Sequence, residues 1–251
     1  MKGRTVSFLR AMKTLLHMFL SLKTVFALFL ACMAILFVGS LSLTSNLAFF
    51  SGIDETPLFV WLSNTGKIGT IWWIYTLILL LVFLAVSTLL CTGEALIARF
   101  TMQRLFLKLS PQIMHIGVLF IMLGHLLTAS MGFKSDVLIK KGETRAVTDG
   151  TGISLKEVTV WKDRNGYDTD WEAIFTWSQI GGEPREAAIR PARPSYFGDF
   201  GFYSKAVVIS PEAAALIRVC RDPGAKWGLF GGMLLSLGGI GFLFGRFAED
   251  H

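Results

Sequence analysis

Apolar residues are concentrated in four long blocks, which are separated by polar segments of very different length. None of the blocks carries a charged residue in its middle. Because a helix needs about 20 consecutive apolar residues to cross a bilayer, each block is close to the length of one span. The pattern predicts a polytopic α-helical membrane protein with about four transmembrane helices. The predicted spans are residues 24–43, 68–91, 113–131 and 225–246.

The polar segment between the third and fourth spans, residues 132–224, has a different pattern. Its stretches ISLKEVTVWKD and WEAIFTWSQ alternate or run in β-branched and aromatic residues, as strands do. Asn165-Gly166 lies between these two stretches and is a strong hairpin signal. The segment is therefore predicted to form a small β-rich domain, with Trp161, Trp171 and Trp177 in its core or on a hairpin face.

The residues that flank the spans predict the orientation of the chain. Residues 1–23 are basic and amphipathic, which favours a cytoplasmic leader along the inner membrane surface. The loop between the second and third spans is cationic, whereas residues 44–67 carry Asp54 and Glu55 against a single lysine. By the positive-inside rule, the N-terminus and the tail 247–251 are cytoplasmic, and residues 132–224 are extracytoplasmic.

Composition agrees with this topology and removes several classes of function. The mean hydropathy is +0.56 and only 17% of the residues are charged, which is unusual for a soluble domain. The net charge of +6 follows from the positive-inside pattern, so nucleic acid is not an expected partner. Phosphate-loop, GxSxG and HExxH motifs are missing, so catalysis by this chain alone is not expected. The glycines of residues 228–245 lie in an apolar span, so they are predicted to serve close helix packing and not a nucleotide loop.

The three cysteines do not form a redox motif. Cys32, Cys91 and Cys220 are expected at three different depths, so no intramolecular disulfide is predicted. The sequence has neither CxxC nor CxxCH, so neither a dithiol site nor covalent haem attachment to this chain is predicted. Cys220 is either a free extracytoplasmic thiol or a small apolar strand residue.

Two of the four histidines, His115 and His125, lie in the third predicted span. Imidazole is costly in hydrocarbon unless it has a partner. Ten residues separate the two side chains by about 15 Å along the helix and about 80° around it, so they cannot ligate one ion. Each is therefore either hydrogen-bonded to a neighbouring helix or an axial ligand of haem iron. His17, in the leader, is the only candidate in this chain for a partner near the depth of His115. The span itself has one histidine at each depth, so haem ligation on both sides implies a second ligand from a different protein.

In order and spacing, four stretches resemble the ResB (CcsB) family of cytochrome c biogenesis proteins. The match covers all four spans and their junctions. The stretches are LSLKTVFALFLACMAILFVGS, FFSGIDETPLFVWLSNTGKIGTIWWIYTLILLLVFLAVSTLLCT, HIGVLFIMLGHLLTASMGFKSDVLIKKGET and RDPGAKWGLFGGMLLSLGGIGF.

This resemblance implies a partner of the CcsA (ResC) type, which carries a tryptophan-rich WWD motif. The two proteins would form a haem lyase (cytochrome c synthase) complex in a bacterial inner membrane. They would transport or hold haem b and attach it to apocytochrome c outside. His115 matches the family's histidine at the start of the third span, which implies axial ligation. His125 stands where the family is expected to have a small or apolar residue, so it is a candidate on chemistry alone.

The cytoplasmic loop carries the candidates for neutralising haem propionates. Arg99, Arg104 and Lys108 are expected near the depth of His115. The positive-inside rule requires the same charges, so they do not identify a haem site by themselves. Two other functions fit the sequence: a haem- or quinone-binding subunit of an electron-transfer complex, and a cofactor-free subunit that stabilises a partner.

Overall fold

A computed structural model describes residues 18–99, 105–148 and 150–249 of the chain. The described helices, numbered here in chain order, are α1 Leu22–Ser45, α2 Leu47–Phe50, α3 Leu58–Thr65, α4 Ile68–Arg99, α5 Leu105–Met131 and α6 Ala225–Glu249. Eight strands lie between α5 and α6. They are β1 Phe133–Lys140, β2 Thr144–Thr148, β3 Thr151–Lys162, β4 Asp168–Gln179, β5 Arg185–Ile189, β6 Ser195–Phe197, β7 Phe200–Val208 and β8 Ala214–Arg221.

Four of the helices, α1, α4, α5 and α6, are long and apolar enough to cross a bilayer. Each contains one of the four apolar segments predicted from the sequence, and a β-rich segment follows the third, so this coarse architecture is confirmed. The helices extend beyond the predicted segments. The largest differences are of eight residues each: α4 ends eight residues after the predicted segment, and α5 begins eight residues before it and contains Pro111. A single proline removes one backbone hydrogen bond, and a long helix tolerates this where neighbouring groups compensate.

The chain divides into two compact units. A helical unit contains the described residues of Met1–Ser51, Val60–Leu126 and Gly224–His251. A β-rich unit contains Leu127–Pro223 and also the short segment Gly52–Phe59, which the sequence did not assign to it. That segment is held by the backbone carbonyl of Asp54, which accepts a hydrogen bond from the amide of Lys134 at 2.7 Å.

Helices α1 and α4 contact each other along a close antiparallel seam. The ring of Trp73 lies against Gly39, where a β-carbon would approach the indole to 2.5 Å. Further along the seam, the hydroxyl of Ser42 donates to the carbonyl of Thr70 at 3.4 Å. Glycine at position 39 therefore leaves the space in which Trp73 of α4 is buried.

Helices α5 and α6 pack so closely that glycine contacts backbone. A β-carbon on Gly117 would lie 2.7 Å from the carbonyl oxygen of Gly231, and one on Gly124 would lie 2.8 Å from that of Gly224. The two contacts fit one antiparallel arrangement, because Gly124 follows Gly117 by seven residues and Gly224 precedes Gly231 by seven. Small residues allow such approach in membranes, where helices associate through van der Waals packing. The prediction that glycines of α6 serve close helix packing is confirmed at Gly231, whereas Gly232 has no such contact in the described structure.

The β-rich unit is a sandwich of two antiparallel four-stranded sheets. One sheet has the order β1-β8-β7-β6 and the other has the order β2-β3-β4-β5. The predicted hairpin joins β3 to β4, and Gly166 adopts a positive φ of 85° in its turn. The inner faces of the two sheets meet at Phe175 and Phe202, whose ring centroids are 4.9 Å apart. Both side chains are fully buried, so burial of aromatic surface stabilises this unit.

The three tryptophans of the β-rich unit lie where the sequence predicted them. Trp177 is buried in the core and its ring lies 5.0 Å from that of Phe202. Trp171 donates its indole hydrogen to the hydroxyl of Ser204 at 2.9 Å. Trp161 lies on the hairpin face, with the guanidinium of Arg190 4.5 Å from the centre of its ring. The sequence did not predict the short strands β2, β5 and β6.

Asp222, in the Asp-Pro-Gly sequence before α6, fastens two parts of the β-rich unit. Its carboxylate accepts a hydrogen bond from the hydroxyl of Thr128 at 2.5 Å, and its amide donates to the carbonyl of Asp199 at 2.9 Å.

We expect Thr128→Val and Asp222→Ala each to lower the free energy of unfolding by about 1 kcal/mol. In a double-mutant cycle, thermal unfolding should show that the two changes together cost less than their sum. Additive effects would contradict a direct Thr128–Asp222 bond.

Candidate functional site

His115 projects from α5 on the side opposite to α6. It precedes Gly117 by two residues and Gly124 by nine, which places its side chain about 160° and 180° around the helix from these two contacts. The α5–α6 packing therefore fixes the face of α5 on which the imidazole lies. The imidazole is half-buried.

One nitrogen of this imidazole has no hydrogen-bond partner in the part of the chain that the structure describes. Nδ1 of His115 is buried, and no described residue forms a hydrogen bond with it. A buried polar atom without a partner carries a desolvation cost of about 1–3 kcal/mol. The other explanation from the sequence, a hydrogen bond to a neighbouring helix, is not present at Nδ1 among the described residues. No sequence pattern indicated this, since it depends on the packing around the ring.

Apolar side chains continue the face of α5 that carries His115. Leu119, Met122 and Leu126 follow it within about 40° in azimuth. The first two are half-buried, whereas Leu126 is 52% exposed. The face is therefore more open three turns beyond the histidine.

His125 has a different environment. Its side chain is exposed on α5. Ten residues of helix separate it from His115, so the two imidazoles cannot share one ion, as the sequence indicated. Its ligation of a haem remains a prediction.

The cationic candidates lie at the edges of the described regions. Arg99 is the last residue of α4 and Lys108 lies in the first turn of α5, as backbone positions. Arg104, the predicted leader up to residue 17, and His17 lie outside the described residues. Neutralisation of propionates by these side chains therefore remains a prediction.

Buried polar side chains lie within two turns of His115 and were not singled out from the sequence. Gln112 is 4% exposed and Ser110 is fully buried, and both have interaction partners. Gln112 precedes His115 by three residues and so lies on a neighbouring part of the same helix face. A polar residue beside or within an apolar segment is itself a signal of a functional or packing role. The same signal that identified His115 could therefore have identified Gln112.

The described residues contain no group of three or more histidine, cysteine or carboxylate side chains that could hold a metal ion. In the β-rich unit a cavity of about 180 Å³ is lined by Trp177, Phe197, Glu183 and Arg185, among others. It is smaller than the pockets of roughly 300–1,000 Å³ that enclose drug-sized ligands. The side chains of the described residues therefore form no cluster of metal ligands, and this cavity is too small to enclose a large cofactor.

Cys220 lies in β8, opposite Lys134 and Gly201. Burial raises the pKa of its thiol above the ordinary value. The reactive thiolate is therefore disfavoured at neutral pH, which agrees better with a small apolar strand residue than with a reactive thiol. The free state expected for all three cysteines is observed in the described residues.

Comparisons with known proteins give only weak structural likeness. No family model matches the chain, and no curated protein matches it. Among solved structures, it is similar to a chain described as the cytochrome c haem lyase CcmF, with a TM-score of 0.44 and 15% sequence identity. The likeness covers 78% of this chain and 34% of the other, so the present chain spans about a third of that protein's length. At this TM-score the likeness carries no argument about function.

Proposed function

We propose that the chain is a cytochrome c biogenesis subunit. With a WWD-containing partner of the CcsA type, it transports or holds haem across the membrane for attachment to apocytochrome c. In this proposal the protein lies in a bacterial inner membrane, with both termini in the cytoplasm and residues 132–224 outside. The sequence stretches similar to the ResB family support the role. The unpaired nitrogen of His115 is the structural observation that carries it.

The residues present fit one axial position of a haem. An imidazole nitrogen is a common axial ligand of haem iron, and Nδ1 of His115 has no hydrogen-bond partner among the described residues. The other described histidine lies about 15 Å away along the same helix, so the described residues supply one ligand at that depth. The haem group supplies the iron and the vinyl carbons that become bonded to cysteine thiols of the apocytochrome. The role of His115 is to bind and orient that group.

In this proposal a partner approaches α5 from the side that α6 does not contact. That side carries His115, Met122 and Leu126. Leu126 is 52% exposed, which leaves apolar surface for a helix or a porphyrin edge to cover. In this arrangement the partner supplies the second axial imidazole.

Absorption spectroscopy of the purified protein tests the proposal. The chain should show a b-type haem band when it is purified with its WWD-bearing partner and lose most of the band when purified alone. His115→Ala should remove the band from the complex while His125→Ala retains it.

The other outcomes distinguish the alternatives. A haem band on the isolated chain that needs both histidines would favour an electron-transfer subunit. If the complex contains no haem and His115→Ala still supports full cytochrome maturation, the chain has only a structural role and the proposal is wrong.

A further inference from the structure

Strand β1 is an edge strand of its sheet, and only the middle of its free edge is open. Its one sheet neighbour is β8. The amide of Lys141, just after β1, donates to Ala213 beside β8 at 2.8 Å, whereas the amide of Lys134 donates to Asp54 at 2.7 Å, away from β8. Since N–H groups alternate along a strand, the even-numbered residues of β1 direct their backbone groups to the free edge.

Both ends of this edge are closed by other parts of the same unit. At the start, the carbonyl of Asp54 binds the amide of Lys134, and the two side chains form an ion pair at 3.2 Å. At the end, Glu143 binds both backbone groups of Lys140: its carboxylate accepts from the amide at 3.1 Å and its own amide donates to the carbonyl at 3.0 Å. These contacts prevent pairing at positions 134 and 140.

Asp136 and Leu138 lie between the closed ends. In the part of the chain that the structure describes, no hydrogen bond is recorded for the outward backbone groups of either residue. The Asp136 side chain is drawn towards β8 by two hydrogen bonds from Arg218, at 2.6 and 2.7 Å. Leu138 is 56% exposed and lies beside Leu216 of β8. The open edge therefore offers two donors, two acceptors and an apolar contact.

We propose that this edge binds an extended segment of a second polypeptide by strand addition. Main-chain hydrogen bonds to residues 136 and 138 provide affinity, and an apolar side chain of the added strand lies beside Leu138. This site goes beyond the proposed function, since it requires neither haem nor His115.

The closed ends favour an unstructured segment over a second copy of β1. In a symmetric antiparallel pair centred on Val137, Lys134 of each copy would face Lys140 of the other. The Asp54 segment of one copy would then meet the Glu143 turn of the other, and two lysines would lie directly opposite each other, which is unfavourable. A short extended segment without such flanking structure avoids both conflicts.

A peptide-binding measurement on the full chain in lipid nanodiscs tests this inference. The probe is a fluorescent seven-residue peptide of alternating valine and threonine, titrated by anisotropy. Leu138→Pro removes the outward donor at position 138 and places ring carbons in its position, while proline is tolerated at an outward position of an edge strand. We expect binding to weaken roughly tenfold or more, whereas Leu138→Val, which keeps the donor, binds as the wild type does.

A second peptide, N-methylated at alternate residues, gives the same test on the unchanged protein. It should bind weakly to the wild-type chain because it lacks donors to the edge, so the result does not depend on the folding of Leu138→Pro. Equal binding of the methylated and unmethylated peptides would overturn the inference. It would also be overturned if the wild-type chain binds no peptide, or if it forms a dimer that Leu138→Pro dissociates. None of these outcomes would affect the haem proposal.

Discussion

Gly231→Ala should separate α5 from α6 and destabilise the protein. The added β-carbon would lie 2.5 Å from the carbonyl oxygen of Gly117 and 2.7 Å from the amide nitrogen of Ile121. Both are backbone atoms, so the conflict cannot be relieved by a change of rotamer. Overpacking of this kind costs about 1–3 kcal/mol, which corresponds to a fall of several degrees in the melting temperature of a chain of this size. Thermal unfolding of the detergent-solubilised protein, followed by size-exclusion chromatography, measures it.

Gly232→Ala is the matched control on the same helix. No heavy atom of the described structure lies within 4 Å of the β-carbon that this change would add. Alanine is favoured over glycine in a helix by roughly 0.5–1 kcal/mol. The neighbouring substitution should therefore leave the melting temperature unchanged or raise it. If both variants melt alike, the close α5–α6 contact is not present in the protein.

The sequence predicted that the four apolar segments are helices, because each segment is a continuous run of apolar residues. It also indicated that the glycines of α6 serve close packing. It did not identify α5 as the helix that they contact, because this depends on two residue patterns meeting in one register. Gly117 and Gly231 lie in different helices with strands β1 to β8 between them in sequence, and neither position alone specifies the pairing.

The β-rich unit was predictable to a similar extent. The β3–β4 hairpin is local, and Asn165-Gly166 marks its turn. The pairing of β1 with β8 joins Phe133 to Arg221 across almost the whole unit, and no local pattern specifies it. The Asp54 segment was missed because its backbone hydrogen bond and ion pair with Lys134 join residues 80 positions apart in the chain, and no local pattern specifies such a pairing.

The sequence predicted which residue forms the candidate site, but it did not predict the surroundings of that residue. His115 was identified because a histidine is rare in an apolar segment. Its position opposite α6 and its unpaired Nδ1 follow from the α5–α6 register, which the sequence did not specify. Helix α5 begins before the predicted span because the helix continues through Lys108 and Pro111, which lie outside the apolar segment.

His115→Gly should remove haem from the complex in a way that a small molecule can reverse. The substitution deletes the proposed axial ligand and leaves a space of the shape of an imidazole on the half-buried face of α5. We expect the haem content to fall roughly tenfold or more, since even changes beside a metal ligand typically cost 10–100-fold in affinity. Added imidazole should restore the haem band by occupying that space. Reduced-minus-oxidised spectra of the purified complex measure both effects.

This rescue separates ligation from a merely structural role of His115. Glycine in the middle of α5 also costs helix stability, by roughly 0.5–1 kcal/mol, and added imidazole cannot restore that loss. His125→Gly carries the same cost at an exposed position of the same helix, so it controls for the helix effect. It should retain haem and show no response to imidazole. If His115→Gly loses haem but imidazole restores none, the residue supports the fold of α5 and another group ligates the iron. If both variants respond to imidazole, each histidine ligates its own haem and the electron-transfer alternative is favoured.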